Sequence, residues 1–406
     1  MSQFLDYDPL GYLFHGFPTG EVMKWMVGEA SLDEVQLEAV DEIVENIDGN
    51  HWVKGFPGTG KTIVLATVIN RLVASRSRLD IAFATYTHAL KHMVETGLSA
   101  SARARVHFST LTAIKKHRGV FDVLVADEMQ DINAADLSGM MKKSRAFVVA
   151  ADFDQSIYPA AAGDRSLAQS LKPYREHELQ TIYRINENVF NVATAVYQDA
   201  YSPASTVFRE DTSRVKLYKG SSARDEFVTM FDEANRVASR GKPSVILFPT
   251  WKTMDNFLRT IAVDKGYSRP HLSVVDDRDP YVPGEDKDPF KSVNAWLRRS
   301  KAPLQILGSG AGDLEDADSK KMVYLMTYHS VKGLEFSNVF MPHLTEGTSL
   351  FAFKGGDSDD ERRIFFVAAT RAMETLYLSY HGSPHEFIGE LDNSDVQKFV
   401  KRKDEF

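Results

Sequence analysis

The sequence predicts an α/β fold made of two units, each built on a parallel sheet, and three observations carry this prediction. Short β-branched and aromatic runs alternate with longer helical patterns, as in sheets whose strands are connected by helices. The same alternation resumes in the second half of the chain. A glycine-rich segment lies between one of the strands and the next helix. The predicted strands are residues 51–53, 81–85, 120–126, 146–151, 244–248, 323–327, 339–341 and 376–379.

The glycine-rich segment, GFPGTGKT, separates the first predicted strand from a predicted helix over residues 63–72. It matches the pattern G-x-x-x-x-G-K-T. In such a turn, backbone N–H groups surround a phosphate, and the positive end of the helix faces the phosphate charge. A merely flexible loop is the alternative, but the flanking strand and helix favour a nucleoside triphosphate site. Its predicted binding residues are Gly55, Phe56, Pro57, Gly58, Thr59, Gly60, Lys61 and Thr62.

Two acidic residues end a later strand, in the stretch FDVLVADEMQD at 121–131. A buried strand that ends in two carboxylates is costly unless they meet a cation or a reacting water. We therefore expect Asp127 to lie beside a Mg²⁺ ion that Thr62 also holds, and Glu128 to accept the proton of the attacking water. The alternative is a strand that ends at a solvated acidic turn.

Composition limits the class of protein. The chain has 406 residues, of which 43% are hydrophobic and 26% charged, so it is long enough for two or three globular domains. No run reaches the roughly eighteen apolar residues of a membrane span, and the first thirty residues lack a signal pattern. Cysteine is absent, which excludes disulfides and thiolate metal sites. We expect a cytoplasmic protein without a membrane partner.

The net charge of −8 excludes a uniformly basic nucleic-acid coat protein but not a local basic groove. Basic clusters at residues 103–105, 115–118 and 298–301 are candidates for such a groove. Each of them taken alone is more typical of a solvated surface.

The acidic stretch also carries a family resemblance. DEMQD at 127–131 resembles the DExQD box of superfamily 1 helicases of the UvrD/Rep/PcrA type, and other boxes of that family follow in order over roughly residues 31–380. The resemblance implies two RecA-like P-loop NTPase domains with ATP in the cleft between them. The remaining boxes are SLDEVQLEAV at 31–40, ATYTHA at 84–89, ADFDQSIY at 151–158, IYR at 182–184, MTYHSVKGLEF at 326–336 and ERRIFFVAATRA at 361–372.

The resemblance implies roles in ATP binding and hydrolysis, with ATP and Mg²⁺ as cofactors. Gln36 would read adenine, Tyr183 would stack on it, and Glu335, near Gly333, would accept from the ribose. Phosphoryl transfer requires positive charge and donors around the γ-phosphate. For the two arginines of this set, a salt bridge is the alternative role. The implied catalytic residues are Lys61, Asp127, Glu128, Gln155, Arg184 and Arg371.

The resemblance also implies contacts with single-stranded DNA, with RNA as an open alternative. Tyr86 and Tyr158 occupy positions at which the family stacks aromatic rings on bases. Two core tyrosines at strand ends are the alternative. The other implied contacts, to the nucleic-acid backbone, are Thr87, Thr327, His329 and Ser330.

The chain departs from the family pattern in three boxes and in length. PAAA at 159–162 replaces the family's Gly-Trp-Arg, Ile182 replaces an asparagine, and HFSTL at 107–111 lacks the aligned histidine. The family's large inserted domains have no room here. We expect an extension over residues 1–30, a first domain over 31–178, a second domain over 179–380 with a short insertion over about 268–321, and a tail over 381–406.

The function implied by the resemblance is an ATP-dependent translocase or helicase that moves 3′ to 5′ along single-stranded DNA. The alternative is a nucleic-acid-stimulated ATPase that works with a partner nuclease or a repair or defence protein and unwinds little by itself. A binding module without ATPase activity is disfavoured because all six implied catalytic residues are present.

Overall fold

The computed structural model describes residues 26–86, 88–158, 161–198, 206–209, 215–267, 289–307, 320–351 and 357–401. These residues divide into two compact units. The first unit contains residues 26–184 and 206–208, and the second contains residues 185–198 and those from 209 onward. Among the described residues, no helix is both long and apolar enough to cross a membrane.

The first unit is built on a six-stranded sheet in the order β3-β2-β4-β5-β1-β6, and every neighbouring pair in it is parallel. Its central strands β2, β4 and β5 read as nearly continuous apolar runs because both faces of the sheet are covered there. The strands are β1 Asn50–Gly55, β2 Ile81–Thr85, β3 His107–Thr110, β4 Phe121–Ala126, β5 Ser144–Ala150 and β6 Tyr174–Leu179.

Helices cover both faces of the first sheet and create two apolar cores. Trp52 belongs to one core and Val53 to the other, because successive side chains of a strand point to opposite faces. Three short 3₁₀ turns, Glu29–Ser31, Met129–Asp131 and Phe153–Gln155, interrupt the loops. The helices are α1 Glu34–Glu45, α2 Lys61–Ser75, α3 His88–Gly97, α4 Ala100–Arg105, α5 Leu111–Ile114, α6 Ala134–Met140 and α7 Asp164–Leu171.

The second unit is built on a seven-stranded parallel sheet in the order β11-β12-β10-β13-β14-β9-β15. Two further strands, β7 Thr181–Asn186 and β8 Thr206–Arg209, form a separate two-stranded sheet. The strands of the large sheet are β9 Val215–Gly220, β10 Ser244–Phe248, β11 Leu304–Ile306, β12 Val323–Thr327, β13 Phe336–Met341, β14 Ala372–His381 and β15 Val396–Lys398.

Three helices of the second unit pack on one core with its sheet. Phe227, Phe257 and Leu297, one from each helix, are at most 4% exposed in this core. The helices of the unit are α8 Glu187–Val196, α9 Ala223–Ala238, α10 Trp251–Asp264, α11 Pro289–Arg299, α12 Ser358–Ala369 and α13 Glu386–Gly389.

The predicted α/β fold with two parallel sheets is confirmed. The bounds predicted for β2, β10 and β12 are those observed. β4 begins one residue later than predicted, because Val120 is 54% exposed and lies outside the ladder. β14 is longer than predicted at both ends, because its half-buried polar residues, including Glu374, break the apolar run that the sequence prediction follows.

The boundary expected between residues 178 and 179 falls inside strand β6, Tyr174–Leu179. β6 pairs with β1 from Asn50–Tyr174 to Gly55–Leu179, so this segment is a strand of the first sheet rather than a connection between units. The first unit accordingly extends through Arg184. The alternating polar residues of β6 reflect its position at the edge of the sheet, where one side remains in water.

Strand pairing also describes the expected insertion and the expected tail. Within the insertion, α11 contributes to the second core and β11 pairs with β12 at the edge of the sheet, so residues 289–307 pack as part of the second unit. Residues 268–288 and 308–319 lie outside the described residues. The expected tail also belongs to the second unit, since β15 pairs with β9 and Phe387 is fully buried.

Candidate nucleotide site

The backbone of the glycine-rich loop, between β1 and α2, adopts conformations that require glycine. Gly58 has φ 84° and Gly60 has φ 85°, in the left-handed region that side chains disfavour. A Cβ on Gly58 would also lie 2.6 Å from the Cβ of Arg184, and one on Gly60 would lie 2.6 Å from Nε2 of Gln36. Both positions therefore need glycine for conformation and for space.

The loop binds its own lysine. Nζ of Lys61 donates to the carbonyl oxygens of Gly55 at 2.7 Å and Phe56 at 3.3 Å, and it lies 3.7 Å from Oδ2 of Asp152. Thr59 also donates to the Phe56 carbonyl, at 2.9 Å. The ammonium group is therefore held within the loop at the start of α2, where an anion would meet both the charge and the helix N-terminus.

The hydroxyl of Thr62 and the carboxylate of Asp127 are brought together, with Oγ1 of Thr62 donating to Oδ2 of Asp127 at 2.7 Å. Asp127 directly follows β4 and is 5% exposed. Burial, with a further contribution from the neighbouring Glu128 carboxylate, raises the pKa of Asp127 to about 6. A hydroxyl beside a buried carboxylate is a hard oxygen donor set, which fits Mg²⁺.

Glu128 has an unusual backbone, with φ 58° and ψ 37°. This conformation turns the chain directly after Asp127, whose Oδ1 accepts the backbone N–H of Glu128 at 2.9 Å. The Glu128 carboxylate accepts a hydrogen bond from the side-chain amide of Gln130. A residue other than glycine in the left-handed backbone region is strained, and such strain is often found at functional sites.

A polar network continues from Glu128 to Gln155. The backbone N–H of Asp152 donates to Oε1 of Gln130 at 3.2 Å, and Nε2 of Gln155 donates to Oδ2 of Asp152 at 2.6 Å. Oδ2 of Asp152 is also the atom 3.7 Å from the lysine. Gln130, Asp152 and Gln155 are all at most 7% exposed. The sequence analysis missed Gln130 and Asp152 as site residues, although both stand inside the quoted boxes.

Gln36 and Tyr183 both hydrogen-bond to Asp33. Gln36 and Asp33 form a capping box at the start of α1, and Nε2 of Gln36 donates to the Thr59 carbonyl at 2.9 Å. The Tyr183 hydroxyl donates to Oδ2 of Asp33, and its backbone N–H donates to the Gly58 carbonyl at 3.0 Å. Burial and this hydrogen bond raise the pKa of Tyr183. The missed residue here is Asp33, which its D-x-x-Q spacing before an apolar run could have revealed.

Of the other residues expected at the ATP site, Arg184 lies in the first unit, whereas Gly333, Glu335 and Arg371 belong to the second unit. Arg371 is 2% exposed; its Nε donates to the Val367 carbonyl at 2.8 Å, at the end of α12. Its own carbonyl accepts from Phe336 at 3.1 Å, which places Glu335, one residue earlier, at the same edge of the sheet. Gly333 has φ 79°, which suits the turn between β12 and β13.

Tyr86 and Tyr158 stack on each other, with ring centroids 5.4 Å apart and planes at 29°. Tyr86 follows β2 and packs against the core that contains Trp52, and the side chains of Tyr86 and Tyr158 both remain partly exposed. The pair therefore contacts the core on one side and solvent on the other. The expected neighbour Thr87 lies outside the described residues.

Thr327 and Ser330 form a closed turn after β12. The hydroxyl of Ser330 accepts from the Thr327 backbone N–H at 2.8 Å, and the Thr327 hydroxyl accepts from the Ser330 backbone N–H at 3.2 Å. Between them, His329 is 9% exposed and lies 5.2 Å from the Phe351 ring. Burial, with a smaller contribution from Lys332, lowers the pKa of His329 to about 4, so its ring is neutral at pH 7.

Two family models match separate parts of the chain. An AAA domain model matches residues 36–161, and a UvrD-like helicase C-terminal domain model matches residues 304–383. The first range contains the glycine-rich loop and the Asp127–Glu128 pair, and the second contains Gly333, Glu335 and Arg371.

Curated relatives match over shorter segments. DNA helicase II of Escherichia coli K12 is 37% identical over 129 residues, which are 28% of this chain and 17% of that protein. The ATP-dependent DNA helicase PcrA of Staphylococcus aureus is 41% identical over 96 residues, which are 22% of this chain and 13% of that protein. A solved structure of PRRSV helicase is 15% identical with a TM-score of 0.41, covering 85% of this chain and 54% of that one.

Proposed function

We propose that this chain, which belongs to the superfamily 1 helicases of the UvrD/PcrA type, hydrolyses ATP and uses the energy to move along single-stranded DNA. The observation that carries the proposal is the hydrogen bond between Thr62 and Asp127 beside a glycine-rich loop that holds Lys61. These groups come from two separate segments of the first unit, residues 55–62 and the end of β4, and together they form the set that P-loop ATPases use.

Binding of ATP with Mg²⁺ starts at the loop. Backbone N–H groups between Gly55 and Thr62 would contact the phosphates, and Lys61 would exchange its carbonyl partners for phosphate oxygens. Thr62 and Asp127 would hold Mg²⁺, which would supply positive charge against the negative charge that develops on the phosphates. A divalent cation beside Asp127 opposes the burial cost that raises its pKa.

Hydrolysis is assigned to the groups around Glu128. Its carboxylate would accept the proton of the attacking water, and Gln130 fixes the orientation of that carboxylate. Gln155 would orient the water or detect the γ-phosphate from its position on Asp152. Arg184 and Arg371 would supply positive charge in the transition state.

The nucleoside part of ATP is assigned to Gln36, Tyr183 and Glu335. Asp33 fixes both Gln36 and Tyr183, so an adenine ring placed against the tyrosine would meet an amide already oriented by a capping box. Gly333 would allow the turn that brings Glu335 toward the ribose.

Single-stranded DNA would contact Tyr86 and Tyr158, whose stacked rings offer a π-face to bases of any sequence. Thr87, Thr327, His329 and Ser330 would contact the sugar–phosphate backbone. Movement would be 3′ to 5′, the direction implied by the family resemblance. The experiment is ATP turnover with and without single-stranded DNA, with Lys61→Ala as the inactive control; turnover absent in both conditions refutes the proposal.

A second candidate is an ATPase that serves a partner nuclease or repair or defence protein and unwinds little alone. The observation that favours it is the PAAA segment at 159–162, which removes the family's tryptophan and arginine, together with the net charge of −8. Strand displacement from a 3′-tailed duplex by the purified chain separates the two candidates.

A further inference from the structure

A cluster of three potential metal ligands lies in the second unit, among residues to which the ATPase assigns no role. Glu226 is in the first turn of α9, His343 follows β13, and His381 ends β14. One ligand atom from each residue can be chosen so that all three lie within 4.8 Å of one another. The sheet creates this proximity, because β13 and β14 are parallel neighbours and their carboxyl ends meet at one edge.

Glu226 is a fully buried carboxylate with fixed orientation. Its Oε1 accepts from the Ser379 hydroxyl at 2.8 Å and from the His343 backbone N–H at 2.6 Å. Its Oε2 lies 2.6 Å from Nδ1 of His381. A Cβ on Gly220 would come within 2.8 Å of the Glu226 Cβ, so the end of β9 also confines the side chain. Such outer contacts orient metal ligands in proteins.

The two histidines face this carboxylate together. Their rings stack with centroids 5.4 Å apart and planes at 25°. Nδ1 of His343 is buried and, within the described part of the chain, has no hydrogen-bond partner. His343 also has φ 68°, a conformation rare for residues other than glycine. A buried imidazole nitrogen without a hydrogen-bond partner, close to a buried carboxylate, points to a cation that both groups coordinate.

We propose that Glu226, His343 and His381 bind one divalent transition-metal ion of the Zn²⁺ type. Two imidazoles and a carboxylate are a ligand set used by zinc, and the nitrogen donors disfavour Mg²⁺ and Ca²⁺. Zn²⁺ bonds of about 2.0–2.1 Å place tetrahedral ligand atoms roughly 3.3 Å apart, so the carboxylate and His381 separate slightly while His343 approaches. The His381 side chain is 23% exposed, which gives the ion an entry and a place for water as the fourth ligand.

The proposed ion is remote from the residues assigned to ATP. Arg371 immediately precedes β14 and His381 is its last residue, so the length of a ten-residue strand separates them, about 33 Å at roughly 3.3 Å per residue. The ion would connect the first turn of α9 to the ends of two central strands. Its effect is therefore on the stability of the second unit, and failure of the ATPase proposal would leave it unaffected.

The test uses the full chain freed of metals with a chelator, with excess Mg²⁺ added so that oxygen-donor sites are occupied. Zn²⁺ is then titrated against a chromophoric chelator, and Co²⁺ is added separately for its visible absorption spectrum. We expect one Zn²⁺ per chain, a Co²⁺ spectrum typical of a tetrahedral site, and a higher thermal-unfolding midpoint with Zn²⁺.

Substitutions locate the ion. Loss of an outer contact alone lowers metal affinity about 10–100-fold. We therefore expect Ser379→Ala to lower the Zn²⁺ affinity by a factor in that range, and His343→Ala and His381→Ala each to lower it by more. His92→Ala is the matched control, because its side chain is 77% exposed and distant in sequence, and it should bind like the parent. His343→Gln and His381→Gln retain a polar side chain, and they are used instead if the corresponding alanine variant does not fold without metal.

The proposal is overturned if the parent chain binds no Zn²⁺ in excess Mg²⁺. It is also overturned if the His343 and His381 variants bind Zn²⁺ as tightly as the parent. That second result would move the ion to another pair, such as His51 and His177, whose ring nitrogens lie 3.0 Å apart.

Discussion

Replacing Asp127 by asparagine should stabilise the metal-free chain while it abolishes hydrolysis. Burial raises the pKa of this carboxyl from 3.8 to about 6, so at pH 7 its charged form is less favourable in the folded state than in the unfolded state. A shift of about two pKa units corresponds to roughly 3 kcal/mol. Asparagine has the same shape and carries no charge; its Oδ1 accepts the Glu128 N–H while its Nδ2 donates to the Thr62 hydroxyl oxygen, so it removes most of this cost.

The sign of the pH dependence follows from the same shift. Between about pH 3.8 and 6 the folded chain binds more protons at Asp127 than the unfolded chain does. This group therefore lowers the free energy of unfolding as the pH rises through that window, and its destabilising effect is complete above about pH 6. In Asp127→Asn this contribution disappears, so the variant should gain up to about 3 kcal/mol at pH 8 and progressively less below pH 6.

The assay is urea unfolding in EDTA at several pH values, followed by tryptophan fluorescence, to which Trp52 in a core of the first unit contributes. The quantity compared is the difference between variant and parent, because other carboxylates titrate in both. Asp48→Asn removes an exposed charge from the same unit and should change stability by less than about 0.5 kcal/mol. An Asp127→Asn variant that is less stable than the parent at pH 8 refutes the reasoning.

Other predictions address chemistry, strand binding and loop geometry. Glu128→Gln should bind ATP like the parent and hydrolyse it about 100-fold more slowly or worse, the effect of a lost general base in single-turnover assays; an unchanged rate would remove Glu128 from that role. Tyr86→Ala and Tyr158→Ala should each weaken single-strand binding by about 1–3 kcal/mol in anisotropy titrations, and equal loss of thermal stability with unchanged binding would leave them as core residues. Gly58→Ala should abolish ATP binding measured by calorimetry, since its Cβ would lie 2.6 Å from that of Arg184; normal affinity would contradict the rigid-loop interpretation. The purified chain should displace a long 3′-tailed duplex poorly at moderate salt, because few phosphate contacts leave little affinity there, whereas efficient displacement by the monomer would restore the plain helicase function.

The sequence predicted the elements whose signals are local. The glycine-rich loop between β1 and α2 is one such element, because its glycines, lysine and flanking strand are adjacent in the chain. Central strands such as β2, β10 and β12 were predicted with their observed bounds, since strands buried on both faces are unbroken apolar runs. These features need no knowledge of which segments meet in the folded chain.

Edge strands and cross-chain contacts were not predicted because their signals are not local. β6 reads YREHEL, and β15 is only three residues long, so neither has a continuous apolar run. Asp152 comes within 3.7 Å of Lys61 only when β5 lies beside β1. The ligand cluster is a stronger case, because Glu226 and His381 are far apart in the chain and nothing in either segment suggests the other.

The charges around the glycine-rich loop explain why this site would bind a nucleotide complexed with a metal ion in preference to the free nucleotide. Asp127 and Asp152 are buried carboxylates, Glu128 is adjacent, and Lys61 is the cation placed among them. An ATP polyanion without metal would add negative charge to an acidic site, at a cost set by its low local dielectric. With Mg²⁺ the added charge would be smaller, and the cation would meet Asp127 and Thr62, where burial of the carboxylate alone is unfavourable. Because Lys61 bonds mainly to backbone carbonyls rather than directly to an acid, it can turn to the phosphates without leaving a carboxylate unpaired. The buried Asp127 carboxylate that destabilises the metal-free fold would thus make the binding of Mg²⁺ and ATP mutually dependent.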